Sequence, residues 1–169
     1  MSGSPATSAA PWKSGALIPT RRKHRPKGDG VAQLAYSPRM TVVIEMVSDL
    51  VCPWCWLGLR RIEDARKLAP EVDVQLLFRP YELDPTIPKE GVDYKAYMSG
   101  RVTSPEGKER MAAMRQALVD YGNAEGIPYR FDAITHRPNS FDAHRIVRWA
   151  QGQGKGAQAK EALFKAYFE

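Results

Sequence analysis

The stretch Glu45-Met46-Val47-Ser48-Asp49-Leu50-Val51-Cys52-Pro53-Trp54-Cys55-Trp56-Leu57-Gly58 decides the fold. Leading into it, Thr41 to Val47 is an apolar run of Val42, Val43, Ile44, Met46 and Val47 that only Glu45 interrupts, the pattern of a short buried strand. After a brief loop, Pro53 suits the first position of a helix, where its missing N–H would have had no intrahelical partner. Cys52 therefore falls at a helix N-terminus. The free N–H groups and aligned peptide dipoles there favour a thiolate, which makes Cys52 the better nucleophile.

Projected at helical period, Cys55 shares a side with Gly58, Leu59, Ile62 and Ala69, with Ala65 at the edge. Arg60, Arg61, Glu63, Asp64 and Lys67 cover the other side, and Arg66 falls near the apolar stripe as its one irregularity. The expectation is an exposed Cys52 and a shielded Cys55. That pair suits two-step thiol–disulfide exchange, in which Cys52 forms a mixed disulfide and Cys55 resolves it, with Pro53 and Trp54 setting the helix geometry and tuning the couple. Cysteines at this spacing also suit one half of a zinc site. Such a site needs two more ligands; the chain has no other cysteine, and His24, His136 and His144 form no second closely spaced pair. No cofactor or metal is expected.

Outward from the motif, a first helix from Pro53 to about Ala69 is ended by Pro70, and Val72 to Phe78 reads as a second strand. A strand, helix and strand with this crossover length imply a parallel pair, which puts the cysteines at the carboxyl end of a parallel strand, where ligand sites of α/β sheets form. Arg79 to Pro85 reads as a loop ending near Gly91. The pattern then turns helical: Val92 to about Met98; a helix capped by Ser104 with Pro105 first and Met111, Met114, Ala117, Leu118 and Tyr121 as its apolar stripe; Phe141 to Gln151, capped by Asn139 or Ser140 and stopped at Gly152. Gly126 to Pro138 reads as irregular or extended. A last helix after Gly156 carries Ala159, Ala162, Leu163, Ala166 and Tyr167 and meets no cap before Glu169. His144, on the side of Phe141, Ile146 and Arg148, reads as a half-buried structural residue, and His136 likewise as structural.

The chain has 169 residues, 43% of them hydrophobic, enough for one core. Its net charge of +6 is local: residues 1–39 carry seven basic residues (Lys13, Arg21, Arg22, Lys23, Arg25, Lys27, Arg39) against Asp29, which leaves 18 of each sign in residues 40–169. Charge gives no support to nucleic-acid binding by the body, and no apolar run is long enough to span a membrane. Residues 1–39 read as a disordered basic extension rich in Ser, Pro and Gly, with Met40 as the expected natural start. Two cysteines are too few for a secreted disulfide scaffold, and the N-terminus has no apolar signal core, so the expected setting is reducing and cytoplasmic.

Four stretches carry a family likeness: Asp49 to Gly58, Phe78-Arg79-Pro80-Tyr81-Glu82-Leu83, Gly126-Ile127-Pro128-Tyr129, and Asn139 to Arg145. With them the chain resembles the DsbA branch of the thioredoxin superfamily, and within it the FrnE-like oxidoreductases, over about residues 41–169. The resemblance implies an α/β, thioredoxin-like β-α-β start at residues 40–90 and an inserted α-helical domain at 91–169. It also implies disulfide exchange with protein or glutathione-like thiols through Cys52. Related glutathione-dependent isomerases carry a serine-type residue where Cys52 stands, so the complete couple points to redox work over an isomerase. The family completes its fold with two more strands, a helix and a cis-proline loop. None is found before Glu169, and Pro128 and Pro138 lie too early for that role. The expectation is therefore a fragment of a longer reading frame, with a two-stranded sheet and an exposed edge.

Overall fold

A computed structural model describes residues 41–169; the basic extension expected at 1–39, and Met40, lie outside the described residues. Strand β1 (Thr41–Ser48), helix α1 (Pro53–Leu68) and strand β2 (Asp73–Pro80) follow in order, and the strands pair in parallel from Thr41 opposite Asp73 to Ser48 opposite Pro80. Pro80 ends β2, where a residue without an N–H is tolerated, so the strand runs two residues past the expected Phe78. The α1 boundaries agree with the sequence to within a residue. Arg66 lies in solvent, 3.0 Å from Glu63, and the irregularity in the stripe disappears.

The rest is helical apart from one small ladder. Val92 does not open a helix: Val92–Asp93 form β3, antiparallel to β4 (His136–Arg137), which lies in the segment expected to be irregular or extended. Helix α2 (Tyr94–Arg101) starts two residues later because Asp93 accepts the Ala96 N–H at 2.7 Å as its cap. Helix α3 (Pro105–Glu125) is capped by Ser104 as expected, and ends on Gly126 in the left-handed conformation, φ 74°. Helices α4 (Phe141–Gln151) and α5 (Gly156–Phe168) complete the chain and pack on β2. Ser140 holds the N-cap position of α4 without a side-chain bond; Asn139 accepts the Phe141 N–H at 2.9 Å instead.

The core joins Trp56, Leu57 and Leu59 of α1 to Phe78, Leu118, Ile127, Val147, Phe164 and Phe168, with Trp56 stacked on Phe164 at 5.4 Å. Three expectations about faces are corrected. Strand β1 is not buried: Val42, Val43 and Val47 are 37%, 53% and 62% exposed, because the helices that reach the sheet pack on β2 and no third strand flanks β1 among the described residues. Helix α5 buries Gly156, Lys160, Phe164 and Phe168, and not the alanine-rich stripe. Helix α4 buries His144, Val147 and Ala150 while Phe141 and Ile146 are exposed, and His144 is fully rather than half buried.

Gly122 sits where α3 meets the following turn. A Cβ there would lie 2.5 Å from the Ile127 carbonyl oxygen and 2.6 Å from the Tyr129 ring. Gly122→Ala is expected to destabilise the fold by about 1–3 kcal/mol by overpacking, read as a lower urea midpoint at unchanged m. An unchanged midpoint would show that the turn relaxes freely.

Candidate active site

The parallel strand β1 delivers the chain into a tight turn in which the Cys52 N–H reaches the Asp49 carbonyl at 3.3 Å. Cys52 is then the N-cap of α1, with extended backbone (φ −101°, ψ 109°), and its carbonyl accepts the N–H groups of Cys55 (3.0 Å) and Trp56 (3.3 Å). Pro53 takes the first helical position. The two cysteines are free thiols. Both are partly buried, which corrects the expectation of an exposed Cys52; Cys55 is the one that packs against the hydrophobic core.

Their difference is electrostatic. The Cys55 thiol donates to the Cys52 sulfur, and the backbone N–H groups of Cys55 and Trp54 point to it as well. Together they outweigh burial and the Asp49 charge and lower Cys52 from 9.0 to about 7. The helix terminus, named from sequence as the cause, is thus second to the neighbouring thiol. Cys55 is pushed far up, first by donating to Cys52 and then by burial, so one proton is held between two sulfurs on the Cys55 side.

Four residues outside the Cys52–Cys55 turn shape the loop. Tyr129 donates its hydroxyl to the Pro53 carbonyl at 2.7 Å, and Arg137 reaches the Val51 carbonyl at 3.4 Å, so the residues flanking Cys52 are held on both sides. Asp49, 1% exposed, accepts the Leu83 N–H at 2.7 Å, and its other oxygen lies 3.5 Å from His144 Nε2. Burial pushes the Asp49 carboxyl up, but hydrogen bonds from His144, Leu83 and Ser140 prevail and leave it below the usual range, a carboxylate. Because His144 Nε2 also lies 3.2 Å from the Tyr81 carbonyl oxygen, that nitrogen is assigned the proton. Asp49 thereby ties the cysteine turn to the loop after β2 and to α4.

The fourth is Lys160, fully buried on α5, whose Nζ has no hydrogen-bond partner and lies 5.5 Å from the Phe78 ring and 5.6 Å from the Phe164 ring. Burial lowers it to about 8, against the opposing pull of Cys55, Asp49 and Cys52. Sequence reasoning did not single out Lys160; the signal was the four-residue spacing Gly156, Lys160, Phe164, Phe168, one helix face. Trp54 stands 42% exposed beside the thiols, its ring tilted against Tyr121 at 6.2 Å. His136 stays on β4, with no role in the cysteine turn. No group of three or more His, Cys, Asp or Glu side chains is gathered to hold a metal among the described residues.

The sequence model of the DSBA-like thioredoxin domain matches residues 43–169. The crystal structure of a probable DsbA oxidoreductase from Streptomyces coelicolor is similar, with TM-score 0.64 and 28% identity over 75% of this chain and 53% of that one. The Bacillus subtilis protein YwbO is 27% identical over 130 residues, 77% of this chain and 58% of its own length. The chain thus spans little more than half the length of either relative. No helix among the described residues is long and apolar enough to cross a membrane. By its match over three quarters of its length, from β1 through the cysteine turn to the end of α5, the chain belongs to the DSBA-like thioredoxin domain family.

Proposed function

We propose that this chain is the thiol-bearing part of a thiol–disulfide oxidoreductase of the FrnE-like type, working in a reducing, cytoplasmic setting on protein or glutathione-like thiols. The observation that carries the reading is the split between two thiols one turn apart, Cys52 lowered to about 7 and Cys55 raised. In the forward step the Cys52 thiolate attacks a substrate disulfide; the substrate S–S bond breaks, the departing sulfur takes a proton, and a mixed disulfide forms. Cys55 then gives up its proton and attacks Cys52. The second substrate thiol leaves, and the substrate has gained the two electrons that the Cys52–Cys55 dithiol has lost on becoming a disulfide. A thiol pool of the glutathione class then re-reduces the couple and is itself oxidised to a disulfide; run backward, the same steps oxidise a substrate dithiol, and a disulfide of that class re-oxidises the couple.

The test is the pH dependence of iodoacetamide alkylation at each cysteine of the reduced chain, read by peptide mass spectrometry. A thiol at about 7 is half ionised at pH 7, against about 1% for one at 9.0. The lower intrinsic nucleophilicity of the weaker base returns roughly tenfold, leaving Cys52 about fivefold faster than an ordinary thiol at pH 7. The Cys52 rate is expected to rise through a midpoint near 7 while Cys55 stays slow through pH 9. Two cysteines that alkylate alike with a midpoint near 9 would remove the basis of this reading.

A further inference from the structure

We propose that the helical layer holds a binding site for a straight-chain alkyl carboxylate, its head group in a small cavity lined by Val51 and Pro53 and its chain along the groove between α2 and α3. The inner cavity, about 120 Å³, is also lined by Leu118, Arg115, Arg137 and Tyr167, and no carboxylate lines it. Two of its polar groups are buried: Nε of Arg137, a residue 7% exposed, which has no hydrogen-bond partner, and the hydroxyl of Tyr167, which the Arg137 side chain faces and which keeps its own proton to give. Both are donors. Arg115, between the rings of Tyr94 and Phe131 at 5.7 and 5.6 Å, gives one N–H to the Tyr94 hydroxyl at 2.8 Å and has no acidic partner among the described residues. Two guanidinium groups and a hydroxyl around a small cavity fit a compact acceptor of negative charge.

The inner cavity adjoins an outer groove of about 500 Å³, with Tyr94, Met98, Met111, Arg115 and Phe131 lining both. Val102 and Ile134 extend its apolar wall, and the unbranched methionines adapt to a flexible chain. At the rim the exposed Lys95 and Lys108, against Asp132 alone, keep the charge of the entrance positive and draw an anion in. The donors at the inner end, the apolar wall and the positive mouth fit one molecule, an alkyl chain ending in a carboxylate. The site does not depend on the thiol chemistry, although its inner wall includes both neighbours of Cys52.

The experiment is calorimetric titration of the full chain with decanoate, decan-1-ol and decyltrimethylammonium. Decanoate is expected to bind at least about tenfold more tightly than the alcohol, since charge-assisted hydrogen bonds are the strong ones, and the cation not at all. Arg115→Gln should bring decanoate down to the affinity of the alcohol. Ala112→Trp, which fills the outer groove from an exposed rim position, should abolish binding of both. The double variant Cys52→Ser/Cys55→Ser should bind as the parent chain does, so that failure here is separable from failure of the redox reading. Equal affinity for alcohol and acid, indifference to Arg115→Gln, or no binding of decanoate would overturn the proposal and leave the inner cavity to ordered water.

Discussion

Cys52→Ser is expected to lower turnover of a disulfide substrate by on the order of 10³-fold or more, because a serine hydroxyl at neutral pH lacks the ionised, polarisable sulfur that the exchange needs. Cys55→Ser has a different outcome. It keeps the nucleophile and loses the resolving thiol, so the reaction stops at a mixed disulfide on Cys52. The serine hydroxyl can still donate to Cys52, whereas Cys55→Ala removes the donor that is the largest of the causes holding that thiol at about 7, so in Cys55→Ala the first step should also move to higher pH. With oxidised glutathione as the probe, intact mass spectrometry should show one glutathione adduct accumulating on Cys55→Ser and none on Cys52→Ser. An adduct on Cys55 in the Cys52→Ser chain at a rate near that of the parent would assign the attacking role to the wrong sulfur.

The contrast between these variants follows from something the sequence shows and something it hides. The N-terminal position of Cys52 was legible because Pro53 marks the start of a helix and the valine-rich run before it marks a strand; both are local signals. A local signal also placed the cap at Ser104. What depended on the third dimension was not legible. The donation from Cys55 to Cys52 is a contact of side chains whose orientation no spacing fixes. Asp49 lies within the quoted motif, yet its clamp on Leu83 and His144 joins residues 34 and 95 positions apart. Tyr129 reaches Pro53 across 76 positions. Helix α5 shows the limit of reading by residue type: Ala159, Ala162, Leu163, Ala166 and Tyr167 were singled out, whereas the buried face is Gly156, Lys160, Phe164 and Phe168, with a lysine in it that composition does not lead one to bury. The likeness of the four quoted stretches to a family succeeded because it rests on several distant segments at once, which the fold does bring together around Cys52.

Replacing Lys160 by methionine should stabilise the oxidised chain at pH 7 by about 2–3 kcal/mol and erase a pH dependence that the parent shows. The ammonium is fully buried with no hydrogen-bond partner, and its folded value of about 8 lies below the 10.5 of the unfolded chain. Below pH 8 both states carry the proton and the folded state bears the whole penalty of a buried charge. Between about 8 and 10.5 the unfolded chain binds a proton that the folded chain has released, so stability rises with pH in that window. About 2.5 units of difference correspond to roughly 3 kcal/mol at full relief. Oxidised protein is the right sample, because neither thiol then titrates, and urea midpoints at pH 7 and 9.5 stay below the range where the raised Tyr129 and Tyr167 enter. Methionine matches the length of the lysine stem and fits between Phe78 and Phe164, and Asp49 keeps the Leu83 N–H on one oxygen and His144 Nε2 3.5 Å from the other. The same change should slow the resolving step, since Lys160 is a positive charge that eases ionisation of Cys55. Formation of the glutathione adduct on Cys52 should be much less affected, which separates an effect on the second thiol from a general loss of fold. Parallel pH slopes in the two proteins would mean that the ammonium is solvated after all, and that the stabilising and kinetic effects should vanish together.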